Sequence, residues 1–154
     1  MTYAEPTVRS VRGEAALEHV RPELAAVVAW LRGRPLPAGV VSWAVGHGPR
    51  DAAEQADALR RKVSKARFGE SPHNWLLDGH ALALDVYPIV VKQGRRVVSG
   101  SLSHYSTIGE AAAACGVEWG GAWASFPDRP HVQVRDWRLL RPADWRALAG
   151  LAEP

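Results

Sequence analysis

Apolar positions along the chain follow two different periods, and the switch between them outlines the elements. From Pro22 onward, Leu24, Val27, Val28 and Leu31 recur at i, i+3, i+4 and i+7, the spacing of one buried helical face. Pro22 suits the first turn of that helix, where a missing N–H costs nothing. A brief helix over Glu14 to Val20 precedes it. Gly33, Pro35, Pro37 and Gly39 then break the chain before Val40 to Val45, which reads as a strand. Gly46-His47-Gly48-Pro49-Arg50 is a turn, and Asp51-Ala52-Ala53-Glu54 resembles a capping box opening a helix that should run to about Val63.

Gly69 to Gly79 reads as loop, and Ala81 to Val91 as one strand with period two. Ala81, Ala83 and Asp85 share one face of it, while Leu82, Leu84 and Val86 share the other. The Leu/Val face belongs in the core, which leaves Asp85 looking into a cleft. Gln93-Gly94-Arg95-Arg96 is a hairpin-like turn into Val97-Val98, and Ser106 to Cys115 is an Ala-rich helix stopped by Gly116. Val132 to Val134 reads as a strand, and Pro142 opens a last helix carrying Trp145 and Leu148. Helices first, then strands mixed with helices, predict an α+β fold.

At 154 residues the chain suits a single domain over residues 1–154 with a real hydrophobic core. The formal charge of +3 comes from arginine. Its runs, Arg60-Arg61-Lys62 and Arg95-Arg96, are short and separated, which favours an ordinary solvated surface over a nucleic-acid partner. Cys115, the one cysteine, excludes an internal disulfide and a multi-cysteine metal site. Glu5, Arg9, Arg12, Glu14 and Glu18 interrupt the first thirty residues. No signal peptide or membrane span is therefore expected there, and the protein should stay in the cytosol unless something releases it.

Two segments carry candidate chemistry. In Ser125-Phe126-Pro127-Asp128-Arg129-Pro130-His131-Val132-Gln133 a carboxylate precedes a histidine by three residues. Pro130 stiffens that segment and pushes Arg129 towards an extended conformation. Upstream, Ser71-Pro72-His73-Asn74-Trp75 leads to Asp85 and could add an imidazole and a carboxylate to the same cleft. Two histidines, an aspartate and a spare carboxylate are the parts of a catalytic zinc site.

These segments, with Val20-Arg21-Pro22-Glu23-Leu24, the Arg50 turn followed by Glu54-Gln55, Ala83-Leu84-Asp85, Tyr105 to Gly109 and Glu118-Trp119-Gly120-Gly121-Ala122-Trp123, carry a family likeness. The chain resembles the M15 class of zinc peptidases, especially the phage-type L-alanyl-D-glutamate endopeptidases that cut the stem peptide of bacterial peptidoglycan. The resemblance implies a small antiparallel sheet flanked by helices, as in the D-Ala-D-Ala peptidases and Hedgehog, and a monomer without membrane insertion. It implies one zinc per chain held by His73, Asp85 and His131, with Asp128 as the catalytic carboxylate. Arg50 matches a cleft-facing arginine that could hold a substrate carboxylate or a developing oxyanion; the alternative is a solvated arginine at a helix start. Ser71 should orient the ligand loop rather than act as a nucleophile. A phage lysis enzyme would wait in the host cytoplasm until released to the wall.

The likeness has one departure. The compact family pattern is Ser-x-His-x-x-Gly-x-Ala-x-Asp, whereas here about five extra residues within Leu76 to His80 separate His73 from Asp85. They bring Asp78 and His80, either of which could join the zinc site, although Asp85 ends the Ala-x-Ala-x-Asp strand pattern. His19, His47 and His104 are expected to be structural or on the surface. Trp30 and Trp145 fit helix core positions, and Trp75, Trp119 and Trp123 should pack the walls of the site. One rival is a D-alanyl-D-alanine carboxypeptidase or dipeptidase of the same fold, which usually carries Glu in place of Asp128. The other is a non-catalytic module binding wall polymer or nucleic acid.

Overall fold

The computed structural model describes residues 2–150. In chain order they form β1 (Glu5–Pro6), a 3-10 turn (Glu14–Glu18), α1 (Pro22–Arg32), β2 (Val40–Val45), α2 (Ala52–Arg60) and a second 3-10 turn (Pro72–Asn74). Then follow β3 (Trp75–Leu77), β4 (His80–Ala81), β5 (Ala83–Lys92), β6 (Arg95–Val98), α3 (Leu102–Cys115), β7 (Glu118–Trp119), β8 (His131–Gln133) and α4 (Trp145–Leu148). The fold is α+β, with antiparallel sheets flanked by helices. The main sheet has the order β2-β5-β8-β7, with β6 also paired to β5; β1, β3 and β4 make a smaller one.

The main core lies between β5 and two helices. Leu24, Val27, Val28 and Leu31 of α1 and Ile108, Ala111 and Ala112 of α3 pack with Leu84, Val86 and Val132. Full burial of a Leu, Ile or Val side chain stabilises by roughly 1.5–3 kcal/mol, so these residues hold β5 firmly and fix which of its faces is left for the cleft. A second cluster of Ala4, Trp75, Leu82 and Trp137 sits under the smaller sheet.

Pro88 sits inside β5, where a missing N–H would ordinarily break a ladder. The Val86 N–H donates to the Pro130 carbonyl beyond the end of β8, and strand alternation turns the Pro88 nitrogen to the same side. There it meets the gap between β8, whose pairing ends at Asp85, and β6, whose pairing begins at Ile89. Its carbonyl accepts from the Ser99 N–H at 2.8 Å.

Several boundaries differ from the pattern-based expectation. The residues expected as loop from Gly69 to Gly79 contain the second 3-10 turn and β3, and Asp78-Gly79 closes a β3–β4 hairpin with positive φ at both positions (52° and 79°). Two left-handed residues in a two-residue loop match the right-handed twist of the flanking strands. The strand expected from Ala81 bends at Leu82, which leaves the main core for the second cluster. α2 stops at Arg60 because Lys62 turns left-handed, short of the expected Val63. α3 begins at Leu102, earlier than Ser106, and α4 is a single turn with Leu148 half exposed. The loose N-terminal segment pairs through Glu5 and Pro6 with β3.

The long connection from β7 to β8 is pinned by Trp119. A Cβ on Gly109 of α3 would lie 2.5 Å from its ring and a Cβ on Gly121 only 2.0 Å, so the indole is sandwiched between two glycines. Its Nε1 donates to the Arg129 carbonyl at 2.7 Å. Gly121→Ala is therefore expected to displace the ring and lower stability by about 1–3 kcal/mol, the usual range for overpacking. Thermal denaturation of the variant beside wild type measures this.

Candidate metal centre and cleft

Strand register sets up the site. β8 pairs with β5 so that His131 lies directly opposite Asp85 and Gln133 opposite Ala83; across the other edge Gln133 lies opposite Glu118 of β7. Directly opposed residues share a face with Cβ atoms about 4.5–5.5 Å apart. The alternation that sends Leu84 and Val86 to the core thus aims Asp85 and Tyr87 at the cleft.

His73 comes from the 3-10 turn that follows Ser71. The Ser71 hydroxyl accepts the His73 N–H at 3.3 Å, and the Asn74 side-chain oxygen accepts the N–H groups of Ser71 and Gly69. The Asn74 amide donates to the Arg50 carbonyl and to Gln55 Oε1, both at 3.1 Å. Gln55 is fully buried, with its own amide donating to Ser64 Oγ and the Ala66 carbonyl. This polar network locks the Arg50 turn, the 64–74 segment and α2 together.

The hydrogen bonds on the outer ring nitrogens decide what the inner ones can do. His73 Nδ1 lies 2.7 Å from the Gly48 carbonyl, which can only accept, so Nδ1 carries the proton and Nε2 presents a lone pair. Gln133 donates its amide to the Glu118 carboxylate, which leaves Oε1 facing His131 Nε2 at 2.8 Å. His131 Nε2 is then the donor, and Nδ1 also presents a lone pair. These inner nitrogens are 3.2 Å apart and lie 3.3 and 3.5 Å from Asp85 Oδ1.

Three buried electron-pair donors converging without a proton between them repel one another unless a cation sits among them. Burial opposes charge on Asp85, but the two imidazoles outweigh it and hold its carboxyl well below the ordinary carboxylate range. Burial draws His73 down to about 4, which keeps it neutral near pH 7. Burial also opposes a proton on His131, yet the hydrogen bond and charge of Asp85 prevail and raise it. A divalent metal among the three donor atoms would relieve their mutual repulsion. His73, Asp85 and His131 offer ligand atoms all within 4.8 Å of one another, and two imidazoles with one carboxylate form a donor set suited to an open metal site. The residues fit a metal.

The other expected residues surround this centre. Asp85 Oδ2, turned from the histidines, lies 3.5 Å from Arg50 Nη2, while Arg50 Nη1 donates to Gln55 at 3.2 Å. Arg50 is thus an internal partner of Asp85, its Nε buried without a hydrogen bond. Asp128 Oδ2 is 3.9 Å from His131 Nδ1, and burial, helped by the charge of Asp85, raises its pKa. The Asp128 N–H bonds to the Gly120 carbonyl at 2.9 Å, so the Trp119-Gly120-Gly121 run sets its position. Arg50, His73, Asp85, Asp128 and His131 line a cleft of about 770 Å3.

Asp78 and His80 are not in this group. They occupy the β3–β4 hairpin, where Asp78 is exposed near Arg21 and His80 Nδ1 bonds to the Asp78 carbonyl. His19 is exposed, and His104 ties Ser99 to the Ala38 carbonyl. His47, expected to be structural or on the surface, lines the cleft with Nε2 3.4 Å from Glu54. Trp123 stands beside His131, ring centroids 5.3 Å apart, whereas Trp75 is wholly buried in the second cluster. Trp30 and Trp145 are half-buried beneath arginine guanidinium groups. Sequence reasoning assigned no role to Gln133, Glu118, Gln55 or Asn74. The signal available for Gln133 was its spacing of two from His131, which puts both on one strand face.

Comparison with known proteins agrees with this architecture. A model of an M15 peptidase family, described as D-alanyl-D-alanine carboxypeptidase, matches residues 64–134. That span contains His73, Asp85, Asp128 and His131. The crystal structure of Serratia marcescens L-Ala D-Glu endopeptidase ChiX superposes with a TM-score of 0.54 at 32% sequence identity, covering 79% of this chain and 84% of that one. The chain belongs to the M15 peptidase family, whose members are metallopeptidases.

Outer hydrogen bonds on ligand histidines typically contribute 10–100-fold to metal affinity. Gln133→Ala should weaken metal binding by about that factor through loss of the contact that orients His131. Asp85→Asn should abolish tight binding, and Asp78→Asn should leave it unchanged. Competition titration against a chromophoric chelator reads all three.

Proposed function

We propose that this protein is a zinc-dependent peptidoglycan endopeptidase that hydrolyses the bond between L-alanine and D-glutamate in the stem peptide. The observation that carries the reading is the convergence of His73 Nε2, His131 Nδ1 and Asp85 Oδ1 in a cleft that also presents the Asp128 carboxylate. The endopeptidase ChiX, at 32% identity, supports the choice of bond. Zinc held by these three residues would supply Lewis-acid polarisation of a substrate carbonyl and lower the pKa of water at the site to roughly 7.

The remaining chemistry falls to the chain itself. Asp128 accepts a proton at its carboxylate from the attacking water and returns it to the nitrogen of the departing amine. Such general acid/base help contributes roughly 10²–10⁴-fold, and burial brings the carboxyl closer to the pH at which it can do both. Arg50 holds Asp85 Oδ2, keeping Oδ1 towards the imidazoles, and adds a fixed positive charge behind the site. Ser71 fixes the His73 turn. A lytic role in which a phage-encoded enzyme passes from the host cytoplasm to the wall is part of this proposal and rests on the sequence resemblance.

A second reading has a specific basis: the matching family model is described as a D-alanyl-D-alanine carboxypeptidase. Product analysis separates the two. Digestion of whole peptidoglycan by zinc-loaded protein should expose new N-terminal glutamate without new reducing sugar ends. Release of D-alanine as the main product, with no new glutamate amine, would assign the chain to the carboxypeptidases.

Asp128→Asn should retain zinc and the fold while kcat falls by roughly 10²-fold or more, the signature of a proton-handling group outside the ligand set. Metal content beside steady-state kinetics checks this; loss of zinc would make Asp128 a ligand instead. Arg50→Ala, which frees Asp85 Oδ2, should weaken zinc binding by about 10–100-fold and lower turnover with it, measured on the same preparations.

A further inference from the structure

The cleft carries more positive charge than its metal centre uses. Arg12, Arg50, Arg61, Lys65 and Arg138 all line it. Arg50 is committed to Asp85 and Gln55, and Arg61 bonds through Nε to Asp57 at 2.8 Å. Arg12 pairs through its backbone with His47. Lys65 and Arg138, like Arg12, have no carboxylate within 4.0 Å among the described residues. Glu70, the acid on their wall, turns instead to the backbone N–H of Arg67.

Among the described residues, Lys65 and Arg138 alone of these cleft cations are seated on aromatic rings. Lys65 Nζ lies 4.4 Å from the centroid of Phe126, and the Arg138 guanidinium 4.8 Å from that of Trp137, a ring only 1% exposed. An aromatic face attracts a cation without neutralising it and leaves its N–H groups free to donate. The Lys65–Phe126 contact also joins the wall that leads into His73 to the wall that carries Asp128. A substrate lying along the cleft past the metal centre therefore meets two held, uncompensated cations.

The proposed substrate is charged on one side of its scissile bond. On the alanine side it continues through neutral amide and ether linkages to the glycan. On the other side D-glutamate continues through its γ-carboxyl, which leaves the α-carboxylate free. We propose that Lys65 and Arg138 form an anion subsite that takes this α-carboxylate, orients the departing amine towards Asp128 and makes the enzyme select stem peptides whose glutamate is not amidated. This rests on the L-Ala–D-Glu reading above. Arg50 is the less suitable cation for the task, since both of its terminal nitrogens are already engaged.

Two synthetic stem peptides, identical except that one carries D-glutamate and the other its α-carboxamide, test the subsite with zinc-loaded protein. Wild type should cleave the carboxylate form with kcat/KM about tenfold or more higher, mainly through KM, the size of one charge-assisted hydrogen bond. The double variant Lys65→Gln, Arg138→Gln, verified as folded by its zinc content and melting curve, should bring the two rates to within about twofold. Lys65→Arg, which keeps the charge, should retain the preference. Equal cleavage of both peptides by wild type, or a preference that survives in the folded double variant, overturns the subsite alone. Cleavage of neither peptide overturns the L-Ala–D-Glu reading and the subsite with it.

Discussion

The site depends on the register between β5 and β8. Pairing Asp85 opposite His131 puts a carboxylate and an imidazole on one sheet face, and the next row across, Ala83, Gln133 and Glu118, adds the hydrogen-bond chain that orients that imidazole. A slip of one residue would turn Leu84 and Val86 out of the core and Asp85 into it. The helices α1 and α3 prevent the slip by burying those two side chains. Hydrophobic packing on one face of β5 thereby enforces ligand geometry on the other.

The remaining parts attach to this row through backbone contacts as much as through side chains. The Gly48 carbonyl fixes the His73 tautomer, the Arg50 N–H bonds to the His73 carbonyl at 2.8 Å, and the Gly120 carbonyl anchors Asp128. Trp119, wedged between Gly109 and Gly121, holds the connection that carries Asp128. Side chains within one or two residues of the ligands thus do structural work, so a substitution there perturbs chemistry through position. Asp85 shows the division of labour within a single group: one oxygen faces the imidazoles, the other Arg50.

Much of this was legible in the chain. The i, i+3, i+4, i+7 pattern identified the buried face of α1, and period-two alternation separated the Leu84/Val86 face from the Asp85 face. The family likeness singled out His73, Asp85, His131, Asp128 and Arg50, which the structure brings around one cleft. The β3–β4 hairpin was less legible, although Asp78-Gly79 between Leu76-Leu77 and His80-Ala81 is a strong two-residue turn signal. Reading the insertion as loop left Asp78 and His80 as open alternatives. The bend at Leu82 escaped because the apolar alternation continues through it; only the second cluster, built from distant Ala4 and Trp137, explains where that side chain goes. The Gln133–Glu118 contact was invisible for the same reason, since it depends on a strand pairing that local pattern does not encode.

The two inner imidazole nitrogens and Asp85 Oδ1 are arranged for a metal ion. Equilibrium dialysis of the purified protein against zinc, followed by X-ray absorption spectroscopy at the zinc edge, tests it most directly. One ion per chain is expected, with two imidazole nitrogens and carboxylate oxygen in its coordination shell at about 2.0–2.2 Å. Zinc bound at well below one per chain, or a spectrum with fewer than two imidazoles, would contradict it.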